Sequence, residues 1–247
     1  MTRFVRLLAP LLALWAGAAL AQGPAASGTG ELDRLYAARD WRGVSERMRL
    51  ANSEAEARAT LQWAAGKTME GAPHVVALAY ADLLWRIGQG RGDEAMRHEG
   101  AVVTLYALAL AAVDGAACVD RSAVEARVNQ ILAAAGPRIA FLRGLPAEAR
   151  ADAKRRVSTL EQTTFLRRPE DSEVCRAGTG EIGRQLRTPG TEIVDHPLQP
   201  GQATRTVDIR PGPSYRPQLH PPPEARVRRE VQRQQRLPAL LADLVPG

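Results

Sequence analysis

Residues 101–113 form an apolar run that only Thr104 interrupts. A helix that is apolar all round is stable only when other elements surround it, and this run is shorter than the roughly 20 residues that cross a bilayer. The sequence therefore predicts a buried central helix around which the rest of the fold is arranged, and no membrane span. Gly115 is expected to end that helix in the left-handed conformation, which glycine adopts without steric cost.

The residues on either side of this run carry the signals of helix ends. Ser53 with Glu56, and Ser122 with Glu125, have the spacing of capping boxes. In such a box a hydroxyl and a carboxylate accept hydrogen bonds from the first free N–H groups of a helix. Pro73 suits the start of a helix, because its missing N–H would have no partner there. Each of these positions predicts the beginning of a helix.

Breaks between helices are expected at two places. Residues 88–92 contain three glycines and predict a loop, and Gly136 followed by Pro137 predicts the end of a helix. Alternating runs of β-branched residues, which indicate strands, do not occur before residue 188. We therefore expect an all-α domain over residues 31–187, built as an irregular helical-hairpin array or bundle of about six helices.

The first 21 residues have the three parts of a secretory signal peptide. Two arginines come first, an apolar stretch of residues 7–17 follows, and Ala19 and Ala21 form an A-x-A cleavage site. A membrane anchor is the alternative, but the apolar segment is too short to span and is followed by glycine and proline. The sequence predicts cleavage after Ala21, a flexible linker over residues 22–30, and a periplasmic or secreted protein.

Cys118 and Cys175 are the two cysteines of the chain. In an oxidising compartment the simplest expectation is that they form a disulfide, whereas two buried free thiols are the alternative. A bridge between residues 57 positions apart would stabilise the fold by on the order of 4 kcal/mol through the entropy of the unfolded chain. Neither cysteine has the spacing of a redox or haem motif.

The character of the chain changes at residue 188. Residues 188–247 contain 11 of the 17 prolines and few apolar side chains, so they predict a Pro-rich disordered tail with at most a short helix near residues 224–236. A basic cluster in this tail is expected to be solvated, with weak contact to an anionic surface as its alternative role. The cluster consists of Arg226, Arg228, Arg229, Arg233 and Arg236. The net charge of +6 is spread along the chain, so we expect no nucleic-acid partner.

Motifs of metal and cofactor chemistry are incomplete. His98-Glu99 begins like a zinc-protease helix, but Val102 stands where the second histidine is needed. Residues 178–183 match the letters of a dinucleotide fingerprint, yet no strand precedes them, which favours a loop held by the disulfide. We therefore predict no catalytic, metal-binding or cofactor-binding residues and no cofactor.

Two segments have the pattern of helical hairpins. One is Leu35-Tyr-Ala-Ala-Arg-Asp-Trp-Arg-Gly-Val44, and the other runs from Ala77 through Trp85 to Asp93-Glu-Ala-Met96. Over residues 31–113 this pattern resembles tetratricopeptide proteins, although the two turn aspartates are 53 residues apart and that repeat has 34. The resemblance implies a concave surface that binds a peptide or protein and carries no chemistry of its own.

These observations favour an exported, non-enzymatic helical module that binds another envelope protein or peptide. Tyr80 and Trp85 are the residues expected in its groove. The alternative is a cell-wall hydrolase that uses an acidic residue in a helical cleft, either Asp82 or Glu99. Against that alternative, Asp82 has Arg86 one helical turn away, which predicts an ion pair rather than a general acid.

Overall fold

The computed structural model of the chain describes residues 26–169, 171–195 and 207–246. The predicted signal peptide, residues 1–21, lies outside them. The described helices are α1 (Ala26–Ala37), α2 (Trp41–Arg49), α3 (Glu54–Glu70), α4 (His74–Arg91), α5 (Glu94–Asp114), α6 (Ser122–Arg143), α7 (Ala147–Phe165), α8 (Ser172–Cys175), α9 (Thr179–Arg187), α10 (Pro222–Val231) and α11 (Leu237–Leu244). The described strands are β1 (Glu192–Asp195) and β2 (Val207–Arg210). The all-α class is confirmed, with more helices than the six expected.

Helix α5 is the buried central helix that the apolar run predicts. Every residue from Gly100 to Asp114 is buried, and α4, α6 and α7 pack around it. Glycines let α4 and α5 approach closely: a Cβ on Gly100 would lie 2.9 Å from the backbone N of Trp85. In the described part of the chain, one segment, Glu94–Ala117, is long and apolar enough to cross a membrane, and 94% of its apolar window is buried inside the protein.

Some expected helix ends lie elsewhere. Gly115 has φ −64° and starts a 3-10 turn, Gly115–Ala117, rather than adopting the left-handed conformation. Helix α4 continues through the predicted loop and ends at Gly92, which is left-handed with φ 65°. Gly88 is buried inside α4 where this helix contacts α5. A Cβ at this position would lie 2.8 Å from the backbone N of Arg97, so the glycine allows the close approach of the two helices.

Helix α6 differs from the prediction at both ends. Pro137 lies inside the helix and cannot donate a hydrogen bond to the carbonyl of Ala133, four residues earlier. Both residues are on the exposed face, where water can donate to that carbonyl instead. The predicted capping box at its start is absent. Ser122 is already helical, and its hydroxyl bonds the carboxylate of Asp120 at 2.7 Å and the hydroxyl of Thr179 at 2.8 Å.

A second, smaller core joins α1, α2, α3 and α4. Its buried side chains are Leu32, Val44, Met48, Ala64, Ala72, Val76 and Leu83. The capping box of Ser53 and Glu56 at the start of α3 is confirmed. Helix α1 begins at Ala26, so part of the expected linker over residues 22–30 is helical.

The disulfide between Cys118 and Cys175 is confirmed. Their α-carbons are 5.3 Å apart, and both residues are buried. The bond ties the short helix α8 to the chain just after α5. Such a bond is compatible with an oxidising, exported location.

The prediction of a disordered tail is wrong for the described residues 207–246, which contain a strand and two helices. Strand β2 pairs antiparallel with β1, with Ile193 opposite Ile209, and the chain ends in α10 and α11. The apolar face of α11 belongs to the same core as α5 and consists of Leu237, Leu241 and Leu244, followed by Val245.

Proline misled the prediction for this segment. Pro238 lies in the first turn of α11, directly after a π-helical turn, and the chain stays helical through it instead of being broken there. The preceding residues, Gln232–Arg236, form a π-helical turn that joins α10 to α11. The end of α11 is tied to the body because Arg143 Nε donates to the Leu244 carbonyl at 2.8 Å and Lys154 Nζ to the Val245 carbonyl at 3.0 Å.

Candidate functional site

A cleft of about 520 Å³ lies between the α1–α2 turn and the chain around residues 169–176 and 216–217. Its walls combine two aromatic rings with several prolines: Tyr36, Trp41, Pro73, Pro169 and Pro217. The rings of Tyr36 and Trp41 meet edge to face, with centroids 5.4 Å apart. Burial raises the pKa of Tyr36 in spite of the nearby Lys67 ammonium, so its phenol is neutral at physiological pH.

The α1–α2 turn holds one arginine of the cleft in an unusual backbone conformation. Arg39 has φ 55°, the only positive φ at a non-glycine residue among those described. The Asp40 N–H donates to the Leu35 carbonyl at 2.9 Å, which is the hydrogen bond that defines a Schellman motif at a helix C-terminus. The left-handed region costs a non-glycine residue about 1–2 kcal/mol. Asp40 then caps α2 through Gly43 N, at 2.9 Å.

Beside this cleft lies a second chamber of about 930 Å³ with a strongly basic lining. The two chambers are adjacent, because Arg176 and Arg216 line both of them. We call the two chambers together the arginine cleft. Its arginines are Arg39, Arg42, Arg49, Arg127, Arg176, Arg210 and Arg216, and its described carboxylates are Glu46, Asp171, Glu173 and Asp208.

The four carboxylates are engaged by groups of the protein itself. Arg42 pairs with Glu46 at 2.7 Å and lies 3.9 Å from Asp208. Glu173 pairs with Arg176 at 2.9 Å, and Asp171 bonds the ring of His74 as described below.

Several arginines, in contrast, are left without a carboxylate. Arg39 and Arg49 form no ion pair with any other described residue. Burial lowers the pKa of the Arg127 guanidinium and outweighs the attraction of Asp171 and Glu173. Arg216 donates to the carbonyls of its own loop. The described lining of the cleft therefore has an excess of positive charge.

A buried histidine–aspartate pair supports the floor of the arginine cleft. His74 Nδ1 and Asp171 Oδ2 are 2.6 Å apart, and both side chains are almost fully buried. Burial would raise the pKa of the Asp171 carboxyl, but His74 and the backbone N–H groups of Glu173 and His74 outweigh it and lower that pKa. The pair fixes the chain before α8 against the start of α4.

The opposite wall is positioned by a second buried carboxylate. Glu181 accepts from the Tyr215 hydroxyl at 2.7 Å and from the Gln218 N–H at 3.0 Å. The guanidiniums of Arg176 and Arg184 lie over the Tyr215 ring at 5.5 and 5.9 Å. Burial and the bond to Glu181 raise the pKa of Tyr215. The segment that carries Arg210 and Arg216 is thus held against α9.

The predicted groove residues do not form a groove. Trp85 is 8% exposed and packs edge to face on Phe141, with centroids 5.5 Å apart. Burial raises the pKa of Tyr80 to about 12, and this side chain is packed against the main core. Both positions were expected in a groove because α4 is apolar on most sides, yet Phe141 of α6 covers Trp85 and the Tyr80 side chain is partly buried against the core.

The acidic residues of the hydrolase alternative are ion-paired. The predicted pair of Asp82 and Arg86 is confirmed at 3.1 Å, and Arg138 reaches the same carboxylate at 3.1 Å. Glu99 pairs with Arg156 on α7. Burial lowers the pKa of the neighbouring His98, and Arg156 adds to that effect.

Neither cofactor motif forms a ligand site in the described chain. Among the described residues, no group of three or more His, Cys, Asp or Glu could hold a metal ion. Residues 178–183 are the start of α9 rather than the loop expected. Asp120 occupies that helix end, because its Oδ2 accepts from Gly180 N at 2.8 Å and Glu181 N at 3.2 Å. A side-chain carboxylate therefore lies where a phosphate would bind.

The basic cluster of the tail is only partly solvated, and it belongs to a network that the sequence analysis missed. Arg229 is buried and lies 2.8 Å from Asp114 Oδ1. Arg168 bridges Asp114 at 3.1 Å and Glu161 at 2.7 Å, with all three side chains about 1% exposed. Burial raises the pKa of Glu161 despite Arg168. In the sequence, Asp114 is a single charge at the end of the apolar run, and its position could have indicated a buried ion pair.

Comparison of the chain with protein-family models, curated proteins and solved structures finds no match in any of the three. The function is therefore inferred from the arginine cleft itself.

Proposed function

We propose that this protein is an exported, non-enzymatic helical module that binds an extended peptide segment of another envelope protein in the arginine cleft. The observation that carries the proposal is the cleft's two-part lining, in which an aromatic and proline-rich chamber lies beside a basic one. Proline and aromatic rings offer flat apolar surfaces that suit an extended chain. The basic chamber then supplies donors for its polar groups.

The position of the cleft beside the α1–α2 hairpin supports this proposal. Residues 35–44 form a helix, a turn and a return helix, and α4 and α5 form a second hairpin. These are the two segments whose sequence resembles tetratricopeptide repeats, a class that binds peptides on helical hairpins. The signal peptide predicted over residues 1–21 supports export, and the disulfide is compatible with it.

Little in the described residues favours the hydrolase alternative. A general acid needs a carboxyl group that is free to exchange a proton with substrate. Asp82 contacts two arginines and Glu99 contacts one. The described carboxylates of the arginine cleft contact Arg42, Arg176 or His74. The non-enzymatic proposal accounts for these ion pairs as structural features.

The proposal is tested by measuring peptide binding to the oxidised, full-length mature protein. A displayed library of extended peptides that contain proline and aromatic residues is selected on it, and fluorescence anisotropy then gives the affinity of single peptides. Trp41→Ala should weaken binding strongly, because the Trp41 ring lines the cleft.

Trp63→Ala is the matched control for this test. Trp63 is also half-buried and also packs edge to face on Tyr36, at 5.9 Å, but it does not line the cleft. Equal losses in the two variants, or no peptide that binds at millimolar concentration, would contradict the proposal.

A further inference from the structure

We infer that the arginine cleft selects an acidic partner: an extended peptide with Asp or Glu side chains spaced along it. This inference rests on the proposed function and names the ligand class of the same site. Arg39 and Arg49 are the residues assigned to bind its carboxylates. These guanidiniums lie at the cleft and have no acidic partner in the described chain.

The first argument is the charge balance of the cleft. Seven arginines and four carboxylates line its described part, and each of the four carboxylates already contacts Arg42, Arg176 or His74. Like charges around a partly enclosed volume repel one another, and a bound anion relieves that repulsion. Arginine matches the carboxylate geometrically, because its planar guanidinium donates two parallel hydrogen bonds.

The second argument is the backbone of Arg39, which is independent of the charge count. Its φ of 55° occurs at the end of α1, a position where glycine is the residue free of strain. Strain of this kind persists at functional sites, where a side chain serves a purpose that glycine cannot. Here the strained residue is a cation that lines the cleft beside Tyr36 and Trp41. The conformation therefore supports the assignment of Arg39 as a binding residue.

The arrangement of the charges favours an acidic peptide over a nucleic acid. Glu46, Glu173 and Asp208 lie among the arginines, so a backbone with a phosphate at every position would meet repulsion along the cleft. Acidic side chains at intervals avoid these carboxylates. The aromatic and proline-lined chamber also fits the apolar residues of a peptide, whereas base recognition needs stacking platforms in series.

The test uses three peptides with the same length, proline content and aromatic content, which differ only in carrying Glu, Gln or Lys. Binding to the oxidised, full-length mature protein is followed by anisotropy. The Glu peptide should bind at least about tenfold more tightly than the Gln peptide, the value of one charge-assisted hydrogen bond. Its affinity should fall as salt rises from about 50 to 300 mM, because the contact is ionic and exposed.

The outcomes separate this inference from the proposed function. Equal affinity for the Glu and Gln peptides would overturn the acidic ligand while leaving peptide binding intact. Absence of binding by all three peptides would overturn both. Tighter binding of a single-stranded oligonucleotide of equal length would assign the cleft to nucleic acid and overturn the inference.

Variants at Arg39 give the decisive comparison. Arg39→Gly should raise the melting temperature, since it relieves the left-handed strain, and yet weaken the Glu peptide about tenfold. Arg39→Gln keeps the strain and should weaken the Glu peptide equally. Neither change should affect the Gln peptide.

Arg155→Gln is the matched control, because Arg155 is an exposed arginine of α7 outside the cleft. A control variant that weakens the Glu peptide as much as Arg39→Gln would refute the assignment. So would an Arg39→Gly protein that is more stable but binds the Glu peptide normally.

Discussion

Replacement of Leu241 by alanine tests whether the C-terminal helix belongs to the core. Leu241 lies in α11, is 2% exposed and shares a cluster with α5. Leucine-to-alanine changes at buried sites cost about 2–5 kcal/mol, from lost burial and from the cavity that remains. Because α11 is a terminal helix that can shift toward the cavity, we expect the free energy of unfolding to fall by about 3 kcal/mol. That loss corresponds to a melting temperature roughly 6–12 °C lower for a domain of this size.

The assay is urea and thermal unfolding of the oxidised protein, followed by tryptophan fluorescence and circular dichroism. Val227→Ala is the matched control, since Val227 lies in the preceding helix α10 but is 61% exposed. The control should change stability by no more than about 0.5 kcal/mol. Equal midpoints for the two variants would show that α11 does not pack on α5. That result would support the prediction, made from the Pro-rich composition, that the C-terminal segment is a solvated tail.

Three further perturbations test the polar interior and the disulfide. Arg168→Met leaves the buried carboxylate of Glu161 without its arginine, while Asp114 keeps Arg229, and should lower the free energy of unfolding by about 3–5 kcal/mol. Arg167→Met, at the exposed neighbouring position, should cost little in the same urea titration. Because the pKa of Asp171 is lowered in the folded state, its carboxylate stabilises the fold at pH values above the unfolded pKa of about 3.9. This stability is lost as the pH falls through the lower pKa of the folded state. Thermal melts between about pH 2 and 6 should therefore be flatter for Asp171→Asn, and an unchanged slope would contradict that assignment. Replacing Cys118 and Cys175 together by serine should lower stability by about 2–4 kcal/mol, and added reductant should then have no further effect on the melting temperature.

The central helices were predictable because their burial is written in local sequence. Residues 101–113 specify a helix that is apolar on every side, and Ser53 with Glu56 specifies a helix start through contacts only three residues apart. The disulfide followed from cysteine number and compartment. Helix α11 was missed, because a proline such as Pro238 can end a helix or lie in its first turn, and the choice depends on whether the following leucines find a surface to cover.

The cleft could not be predicted, because its lining comes from distant parts of the chain. The α1–α2 turn, Pro73, residues 169–176 and residues 208–217 meet only in the folded protein. Each arginine taken singly has the sequence signature of an ordinary surface charge. The left-handed backbone at Arg39 is equally hidden, since nothing in the letters distinguishes an arginine at a helix end from one inside a helix.

The disulfide and the C-terminal segment together make the arginine cleft one structural unit. Cys118 pairs with Leu219 in an isolated β-bridge, and the His220 N–H bonds the Ala117 carbonyl at 2.9 Å. The sulfur of the same cysteine is bonded to Cys175, the residue before Arg176 in the cleft lining. One residue therefore connects both walls of the cleft, and the docking of α11 anchors the chain that follows. Reduction of the disulfide would separate Arg176 from the segment that holds Arg210 and Arg216, so acidic peptide binding requires the oxidised chain.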